Sequence, residues 1–198
     1  MPVSARPDVV VIAGPNGAGK TSSSNVILPQ FLAVRHFVNA DVIAAGLSRF
    51  DPGSVAIAAG RLMLMRIEEL ASRRQSFAFE TTLASRFFAV LLRRLASEGY
   101  GVHVIYLWLP DPELAIARVA GRVRRGGQHV PSEIVRRRYW AGLRNFFALY
   151  QPIADTWRFY NNGGDEPVLI ASGAEGEPER IAAPELWIRI RNEVHGHD

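Results

Sequence analysis

The chain has 198 residues, of which 48% are hydrophobic and 21% charged, and 23 basic against 19 acidic side chains give a formal net charge of +4. A chain of this length and composition folds around a substantial core, so an intrinsically disordered protein is excluded. The sequence has no cysteine, which excludes disulfides and thiolate metal sites, and its longest apolar runs are too short to cross a membrane.

Five short segments rich in β-branched and aromatic residues predict five strands, at residues 9–13, 36–39, 76–80, 102–109 and 167–171. Stretches of helical periodicity separate them, and this alternation is typical of a parallel sheet covered on both faces by helices. We therefore predict a single α/β domain over residues 1–198, a three-layer sandwich with a five-stranded, mainly parallel sheet. Residues 172–184 are predicted to form a loop before a C-terminal helical appendage at residues 184–194.

Several predicted helix ends carry capping signals. Asp51 and Asp111 each precede a proline that suits the first helical turn, and Ser132 is predicted to cap the helix that follows it. A helix over residues 85–98 is predicted to end at Gly99, because glycine readily adopts the left-handed conformation of a helix stop.

Directly after the first predicted strand, residues 14–21 read Gly-Pro-Asn-Gly-Ala-Gly-Lys-Thr and match G-x-x-x-x-G-K-[ST] at every fixed position. In such a phosphate loop the backbone N–H groups surround a phosphate, and the following helix adds its positive N-terminus. Lys20 is predicted to reach the β- and γ-phosphates of a nucleotide, and the Thr21 hydroxyl to bind Mg²⁺. The predicted nucleotide-binding residues are Gly14, Pro15, Asn16, Gly17, Ala18, Gly19, Lys20, Thr21 and Ser22.

The phosphate loop predicts nucleotide binding but leaves the reaction open. Lys20 is the only lysine in the chain, so the Asn-Lys-x-Asp guanine signature of GTPases is absent. A Leu-Ser-Gly-Gly-Gln signature of transporter ATPases is absent too, and the apolar strand 102–109 runs into Pro110 rather than into the acidic residue of motor ATPases. Small-molecule kinases of this class instead place acceptor-side residues at the ends of strands two and three and close the site with an arginine-rich lid.

Two carboxylates are predicted at the edge of the sheet where the phosphate loop lies. Asp41 follows strand two, and Glu80 ends strand three, so both are expected to face the crevice beyond the carboxyl ends of the strands. We predict that Asp41 accepts the proton of an acceptor hydroxyl as it attacks the γ-phosphate; the alternative is an N-cap of a helix at residues 42–47. Glu80 and Thr82 are predicted to bind substrate hydroxyls, the alternative for Glu80 being a water-mediated contact with Mg²⁺.

An arginine-rich segment spans residues 118–144, with a single acid, Glu133. Two basic helices around a Gly-Gly break predict a lid that closes on polyphosphate, in which Arg122 and either Arg137 or Arg138 stabilise the transferring phosphate. The alternative is a solvent-exposed helix face in an arginine-rich chain. The arginines of the segment are Arg118, Arg122, Arg124, Arg125, Arg136, Arg137, Arg138 and Arg144, of which the first two and Arg125 are spaced to share one helix face.

Five segments together resemble the short zeta-toxin-like P-loop kinases: residues 14–21, 37–41, 79–83, 118–131 and 137–139. The resemblance covers about residues 8–172 and implies a nucleotide-kinase-like P-loop NTPase fold. Zeta toxins are ATP-dependent kinases that phosphorylate the 3′-hydroxyl of UDP-N-acetylglucosamine and are held inactive by an antitoxin. The resemblance therefore implies ATP and Mg²⁺ as cofactors, UDP-N-acetylglucosamine as acceptor and an antitoxin as protein partner.

The same resemblance implies roles for single residues. Lys20 and Thr21 would bind phosphate and Mg²⁺, and Asp41 would be the catalytic base. Glu80 and Thr82 would contact the amino-sugar nucleotide, while lid arginines would stabilise the transferring phosphate. The acidic motif departs from that of zeta toxins, because this chain has Thr in place of the Gly of Glu-Gly-Thr.

Two other interpretations stay open: a kinase that acts on another hydroxylated metabolite or an antibiotic, and a nucleotide- or nucleic-acid-binding module in which Asp41 is only a cap. Nucleic acid is disfavoured because the charge surplus is small, and because Tyr139 and Trp140, the aromatic residues near the arginines, have the spacing of core residues. Residues 155–162 are predicted to seal the sheet edge, with a nucleotide or substrate contact as the alternative. The lack of cysteine and of a signal-peptide pattern at residues 1–8 predicts a cytoplasmic protein.

Overall fold

The structure is a computed structural model that describes residues 6–27, 34–49, 51, 53–124 and 126–196. Its elements in chain order are β1 (Asp8–Ala13), α1 (Lys20–Ile27), β2 (His36–Val38), α2 (Ala40–Leu47), α3 (Ala56–Ser72), β3 (Phe77–Thr81), α4 (Phe87–Ser97), β4 (Gly101–Trp108), α5 (Pro112–Arg124), α6 (Ser132–Asn145), β5 (Thr156–Asn161), β6 (Val168–Ala174), β7 (Arg180–Ile181) and α7 (Pro184–Gly196). A π-helical turn (Phe146–Tyr150) and a 3₁₀ turn (Gln151–Ile153) continue α6.

Within the described residues the sheet has seven strands in the order β2-β3-β1-β4-β5-β6-β7. The strands β2, β3, β1, β4 and β5 run parallel, whereas β6 is antiparallel to β5, and β7 is antiparallel to β6. The predicted α/β architecture with a mainly parallel sheet is confirmed. The predicted count of five strands is wrong, because β5 and β7 were not recognised.

The two missed strands lack the long apolar run that marks a buried parallel strand. In β5, buried Trp157 and Phe159 flank exposed Arg158, so the strand alternates like one with a solvated face. β7 has only two residues and falls within the predicted loop at residues 172–184, which also holds the end of β6. The segment at residues 155–162 therefore contributes a strand of the sheet and does more than seal its edge.

The centre of the sheet is the most deeply buried part of the described chain. β1 lies between β3 and β4, and its residues from Val9 to Ala13 are fully buried. The phosphate loop therefore starts from a strand that is held on both sides, which gives it a rigid base.

Aromatic side chains pack the C-terminal helix onto the sheet. The Trp187 ring of α7 stacks on Trp157 of β5 at 5.6 Å between centroids and meets Phe159 edge-on at 5.1 Å. Tyr139 and Trp140, predicted to pack in the core, do so: Tyr139 is 1% exposed, and Trp140 is partly buried against the same core.

The predicted caps are confirmed in part. Asp111 Oδ1 accepts a hydrogen bond from the Leu114 N–H at 2.8 Å at the start of α5, and Gly99 follows α4 with φ +87. The prediction for Ser132 is wrong, because Ser132 is already the first helical residue of α6, and Pro131 holds the cap position without a side-chain bond.

At the third cap, Asp51 Oδ1 accepts from the Ser54 N–H at 3.2 Å, ahead of α3, while Pro52 lies outside the described residues. This carboxylate therefore binds the turn that leads into the helix.

No helix in the described part of the chain is long and apolar enough to cross a membrane. The expected cytoplasmic location stays a prediction.

Candidate active site

The phosphate loop joins β1 to α1 and is pressed against the neighbouring strand β4. Gly14 has φ +142, and a Cβ there would overlap the Leu107 carbonyl oxygen, so the turn requires glycine. The Lys20 side chain is 7% exposed, and its ammonium donates to the carbonyl oxygens of Gly14 at 3.0 Å and Pro15 at 2.9 Å. The side chain of the single lysine is therefore folded back into the phosphate loop.

Asn162, which directly follows β5, supports the phosphate loop from the neighbouring strand end. Its side-chain amide donates to the Ala18 carbonyl oxygen at 2.6 Å, and its own N–H donates to the Trp108 carbonyl oxygen at 2.8 Å. The side chain is buried. Sequence reasoning included this residue only within residues 155–162, with a nucleotide or substrate contact as the alternative; the signal that singles it out is a polar residue at the carboxyl end of a strand.

Glu80, near the end of β3, connects the phosphate loop to the turn before α2. Its Oε2 accepts from the Thr21 hydroxyl at 2.8 Å and from the Asn39 amide at 2.6 Å, and its Oε1 lies 3.7 Å from the Lys20 ammonium. Burial lowers the pKa of Lys20, and Glu80 is foremost among the groups that raise it again. Three polar groups from two other parts of the chain thus meet at the Glu80 carboxylate.

Asp41 lies in the first turn of α2 and is not its cap. The cap is Asn39, whose Oδ1 accepts from the N–H groups of Asp41 at 2.8 Å and Val42 at 3.3 Å. The alternative in which Asp41 caps the helix is therefore wrong, because the preceding asparagine already fills that place. The Asp41 side chain is 57% exposed, with one oxygen 3.8 Å from the Arg122 guanidinium.

Thr21 and Glu80 bring two hard oxygen donors together beside the phosphate loop, within 2.8 Å of each other. Mg²⁺ prefers such oxygens and usually binds through one or two protein groups, with waters and substrate phosphates completing its shell. The donor set therefore fits a Mg²⁺ ion that arrives with a nucleotide. Within the described residues no group of three or more His, Cys, Asp or Glu side chains could form a metal cage.

Arg122 joins α5 to the segment that leads to α6. Its Nη2 donates to the Gln128 carbonyl oxygen at 3.2 Å, and the Gly127 N–H donates back to the Arg122 carbonyl oxygen at 3.0 Å. The Arg122 Nε is buried and has no hydrogen-bond partner among the described residues. Nη2 thus holds the glycine-containing turn, where Gly126 has φ +85, while Nη1 lies 3.8 Å from the Asp41 carboxylate.

The other lid arginines lie in different places. Arg118 donates to three carbonyl oxygens of the loop after β5, and Arg136 forms an ion pair with Glu113 of α5. Arg125 lies outside the described residues, so the predicted shared face is seen only for Arg118 and Arg122, which line one cavity together. Between Arg137 and Arg138, the two alternatives for the second phosphate-binding arginine, Arg137 is exposed. Arg138 is half-buried and lines the cavity that also contains Asp41.

Of the cavities that border the phosphate loop, two share no lining residue, and the cavity of Arg118 and Arg122 lies beside Thr21 and shares residues with both. The Asp41 cavity has a volume of about 520 Å³, and its polar lining residues include Asn16, Lys20, Asp41, Glu80, Thr82 and Arg138. The Arg118 cavity has a volume of about 550 Å³ and is lined in part by Gly19, Ser22, Arg118, Tyr160, Asn162 and Pro167. The arrangement can hold two ligands, one on each side of the phosphate loop.

Comparison with known proteins gives one family match. The family model described as Zeta toxin matches residues 52–173, which is more than half of the chain. The matched region includes Glu80, Thr82 and the arginine-rich segment, and it begins after the phosphate loop and Asp41. A protein of Haemophilus influenzae, described as uncharacterized, is 26% identical over 130 residues, 66% of this chain and 91% of that protein.

Solved structures share the fold. The AvrRxo1-ORF1:AvrRxo1-ORF2 complex with sulphate ions matches with a TM-score of 0.78 and 20% identity, over 94% of this chain and 64% of the matched chain. The complex with ATP matches with a TM-score of 0.76 and 19% identity, over the same shares. The PezAT chromosomal toxin-antitoxin system of Streptococcus pneumoniae matches with a TM-score of 0.66 and 16% identity, over 96% of this chain and 88% of that chain. The chain thus spans about two thirds of the first of these matched chains.

Proposed function

The chain belongs to the zeta toxin family, and we propose that it is an ATP-dependent kinase that transfers the γ-phosphate of ATP to a hydroxyl group of a small molecule. The observation that carries the proposal is the position of Glu80. This carboxylate touches Thr21 and Lys20 of the phosphate loop and lines the same cavity as Asp41. A nucleotide phosphate and a second substrate would therefore meet beside it.

The triphosphate of ATP would lie in the phosphate loop, and its base in the Arg118 cavity. The Lys20 ammonium would exchange the carbonyl oxygens of Gly14 and Pro15 for phosphate oxygens. The Arg118 guanidinium is fixed by carbonyl oxygens at 2.7 and 2.9 Å, which leaves its planar face to stack on a base.

Phosphoryl transfer would take place at the mouth of the Asp41 cavity. The acceptor oxygen attacks the γ-phosphorus as its proton passes to the Asp41 carboxylate, and the bond to the β–γ bridging oxygen breaks so that ADP leaves with the electron pair. Arg122, whose Nη1 lies 3.8 Å from the Asp41 carboxylate, would donate to the transferring phosphoryl group, whose charge spreads over its oxygens. If bound, a Mg²⁺ ion held by Thr21 and Glu80 would neutralise part of the negative charge of the phosphates.

We propose UDP-N-acetylglucosamine as the acceptor and an antitoxin as the protein partner. The Asp41 cavity offers Thr82, Arg138 and Asp41 to hydroxyl and phosphate groups, and apolar side chains of α3 and α4 to the rest of an acceptor. In this proposal Thr82 contacts the acceptor, and Glu80, which accepts a hydrogen bond from Thr21, helps to bind Mg²⁺. Residues 118–144 would act as a lid on the one domain that residues 1–198 are predicted to form.

The test measures ATP consumption with a panel of acceptors, UDP-N-acetylglucosamine, other sugars and hydroxylated antibiotics among them, for the wild type and Asp41→Asn. We expect acceptor-dependent turnover that Asp41→Asn lowers by about 10²-fold or more, the order expected for loss of a general base. Asp111→Asn is the matched control, because asparagine also caps helices and Asp111 lies outside both cavities.

Three outcomes would contradict the proposal. Equal turnover in Asp41→Asn and the wild type would remove the catalytic role of Asp41. A different acceptor from the panel would replace UDP-N-acetylglucosamine and keep the kinase. ATP turnover that depends on no acceptor, together with RNA binding that weakens steeply with salt, would support the nucleic-acid-binding interpretation.

A further inference from the structure

The loop that follows β3 has a backbone conformation that its own residues do not favour. In this 82–86 loop, Leu83 has φ +57, in the left-handed region that leucine rarely adopts, and its side chain is fully buried. A leucine persists in such a conformation only where its surroundings hold it there. Thr82 and Ser85 of the loop line the Asp41 cavity, so the shape of the loop decides the shape of that cavity.

The loop is held locally by Thr81 Oγ1, which accepts from the Leu83 N–H at 3.1 Å, by the Tyr150 hydroxyl, which donates to the Ser85 carbonyl oxygen, and by α6. The Asn145 side-chain amide donates to the Leu83 carbonyl oxygen at 2.7 Å, and Asn145 is 8% exposed. One turn earlier, a Cβ at Gly142 would overlap the Thr82 carbonyl oxygen, so glycine lets the helix backbone lie directly against the loop. Two successive carbonyl groups of the loop thus meet the same helix.

Arg138 lies on the same face of α6 as Gly142 and Asn145. Arg138, Gly142 and Asn145 follow i, i+4, i+7 spacing, so they lie on one side of the helix. Arg138 lines the Asp41 cavity, whereas Arg118 and Arg122 of α5 line the cavity at Thr21 and Gly19. Arg138 of α6 therefore lines the Asp41 cavity itself, whereas Arg122 of α5 approaches Asp41 from the neighbouring cavity.

We propose that Asn145 is a positioning residue for the phosphate acceptor: it fixes the 82–86 loop to α6, so that Thr82 and Arg138 are presented to the acceptor as one unit. The proposal rests on the proposed function, because it takes the Asp41 cavity as the acceptor site. Asn145 itself lines neither cavity and acts through the loop. Its loss should therefore weaken the use of the acceptor and leave the use of ATP nearly unchanged.

The first experiment compares steady-state kinetics of the wild type, Asn145→Ala and Tyr139→Phe with UDP-N-acetylglucosamine, or with the acceptor that the panel identifies. Asn145→Ala should lower kcat/KM for the acceptor by about 10²-fold, the effect expected when a reacting group is misplaced by about 1 Å, and should leave KM for ATP within about twofold. Tyr139→Phe is matched, because Tyr139 also lies on α6, is buried and donates to a backbone carbonyl, that of Leu109 at 2.7 Å. It should leave both constants unchanged.

A second variant keeps the test decisive if Asn145→Ala does not fold. Gly142→Ala adds one methyl group against the Thr82 carbonyl oxygen and removes no hydrogen bond, so it should displace the loop and raise KM for the acceptor in the same selective way. An equal loss for ATP and acceptor in both variants would overturn the proposal, because it would indicate general destabilisation.

A measurement that needs no acceptor separates this proposal from the proposed function. Amide hydrogen exchange at Leu83 and Ala84 should be at least about tenfold faster in Asn145→Ala than in the wild type, and exchange at Ala18 of the phosphate loop should not change. Faster exchange without any acceptor turnover in the wild type would contradict only the kinase proposal. Unchanged exchange at Leu83 and Ala84 would overturn the role of Asn145, whatever the protein phosphorylates.

Discussion

The Asn39 amide nitrogen lies 2.6 Å from Glu80 Oε2, while the oxygen of the same side chain caps α2. One buried asparagine therefore sets both the start of the helix that carries Asp41 and the orientation of the carboxylate that meets Thr21 and Lys20. The distance between the two acidic groups of the site depends on this residue.

Replacing Asn39 separates its two roles. Asn39→Ser keeps an oxygen that can cap α2 but loses the donor to Glu80, whereas Asn39→Ala loses both. We expect kcat to fall by about tenfold or more in both variants, and Asn39→Ala to lose about 1 kcal/mol more of the free energy of unfolding than Asn39→Ser. Urea unfolding and the kinase assay measure the two effects; a serine variant with wild-type kcat would show that the Glu80 contact is dispensable.

Lys20 is expected to be irreplaceable even by the other long cation. Its ammonium fits between two carbonyl oxygens at 3.0 and 2.9 Å in a site that leaves 7% of the residue exposed, and a planar guanidinium is larger and demands different geometry. Lys20→Arg should therefore reduce ATP turnover nearly as much as Lys20→Ala. Arg124→Lys, at an exposed position of α5, is the control and should leave turnover unchanged. Near-normal turnover in Lys20→Arg would show that the site does not require lysine, so that the single lysine would reflect only the amino-acid composition of the chain.

Binding of ADP should depend on pH through Lys20. Burial lowers the pKa of Lys20 below its usual value of 10.5, and Glu80 raises it. The ammonium binds phosphate and is lost as the pH rises through that pKa, so affinity should fall on the alkaline side, and Glu80→Gln should move this fall to lower pH. Calorimetric titration without Mg²⁺ from about pH 7 to 10 measures the shift. Glu113→Gln, which removes the exposed partner of Arg136, should leave the profile in place; coincident profiles for all three proteins would refute the assignment.

Asn162 should matter for ATP and not for the acceptor. Asn162→Ala leaves the buried Ala18 carbonyl oxygen without its donor, which costs about 1–3 kcal/mol and lets the phosphate loop relax. We expect KM for ATP to rise by about tenfold. Ser76→Ala is the control, because Ser76 accepts from the Asp8 N–H at 3.0 Å at the other end of β1. An unchanged KM for ATP would show that the loop holds its shape without this bond.

The parts of the site that could be predicted from sequence are those recognised by a short motif or by a position at the end of a predicted strand. Lys20 and Thr21 follow from one short motif, and Asp41 and Glu80 follow from their places directly after or at the end of strands. The bonds of Asn162 and Asn145 could not be found this way, because their partners lie 144 and 62 residues away along the chain. Only the folded sheet and the packing of α6 bring such pairs together.

The same reason explains the errors in the fold. Composition identifies strands that are apolar throughout, such as β1, whereas β5 alternates buried and exposed side chains, and only its pairing with β4 and β6 gives its place in the sheet. In the choice between Arg137 and Arg138, one residue of helix rotation decides which side chain faces the Asp41 cavity. The rotation depends on the whole buried face of α6, in which Gly142 and Asn145 meet the distant 82–86 loop, so the choice between these neighbours needs the folded structure.

The lengths of the outermost strands have a consequence for protein partners. Within the described residues the sheet ends on one side in the three-residue β2 and on the other in the two-residue β7. Such short edges offer few free backbone groups, so neither side is a good template for a partner that adds its own strand. We therefore expect a protein partner to recognise side chains on helices and loops rather than to pair with β2 or β7, so that single surface substitutions could change partner choice while the sheet stays the same.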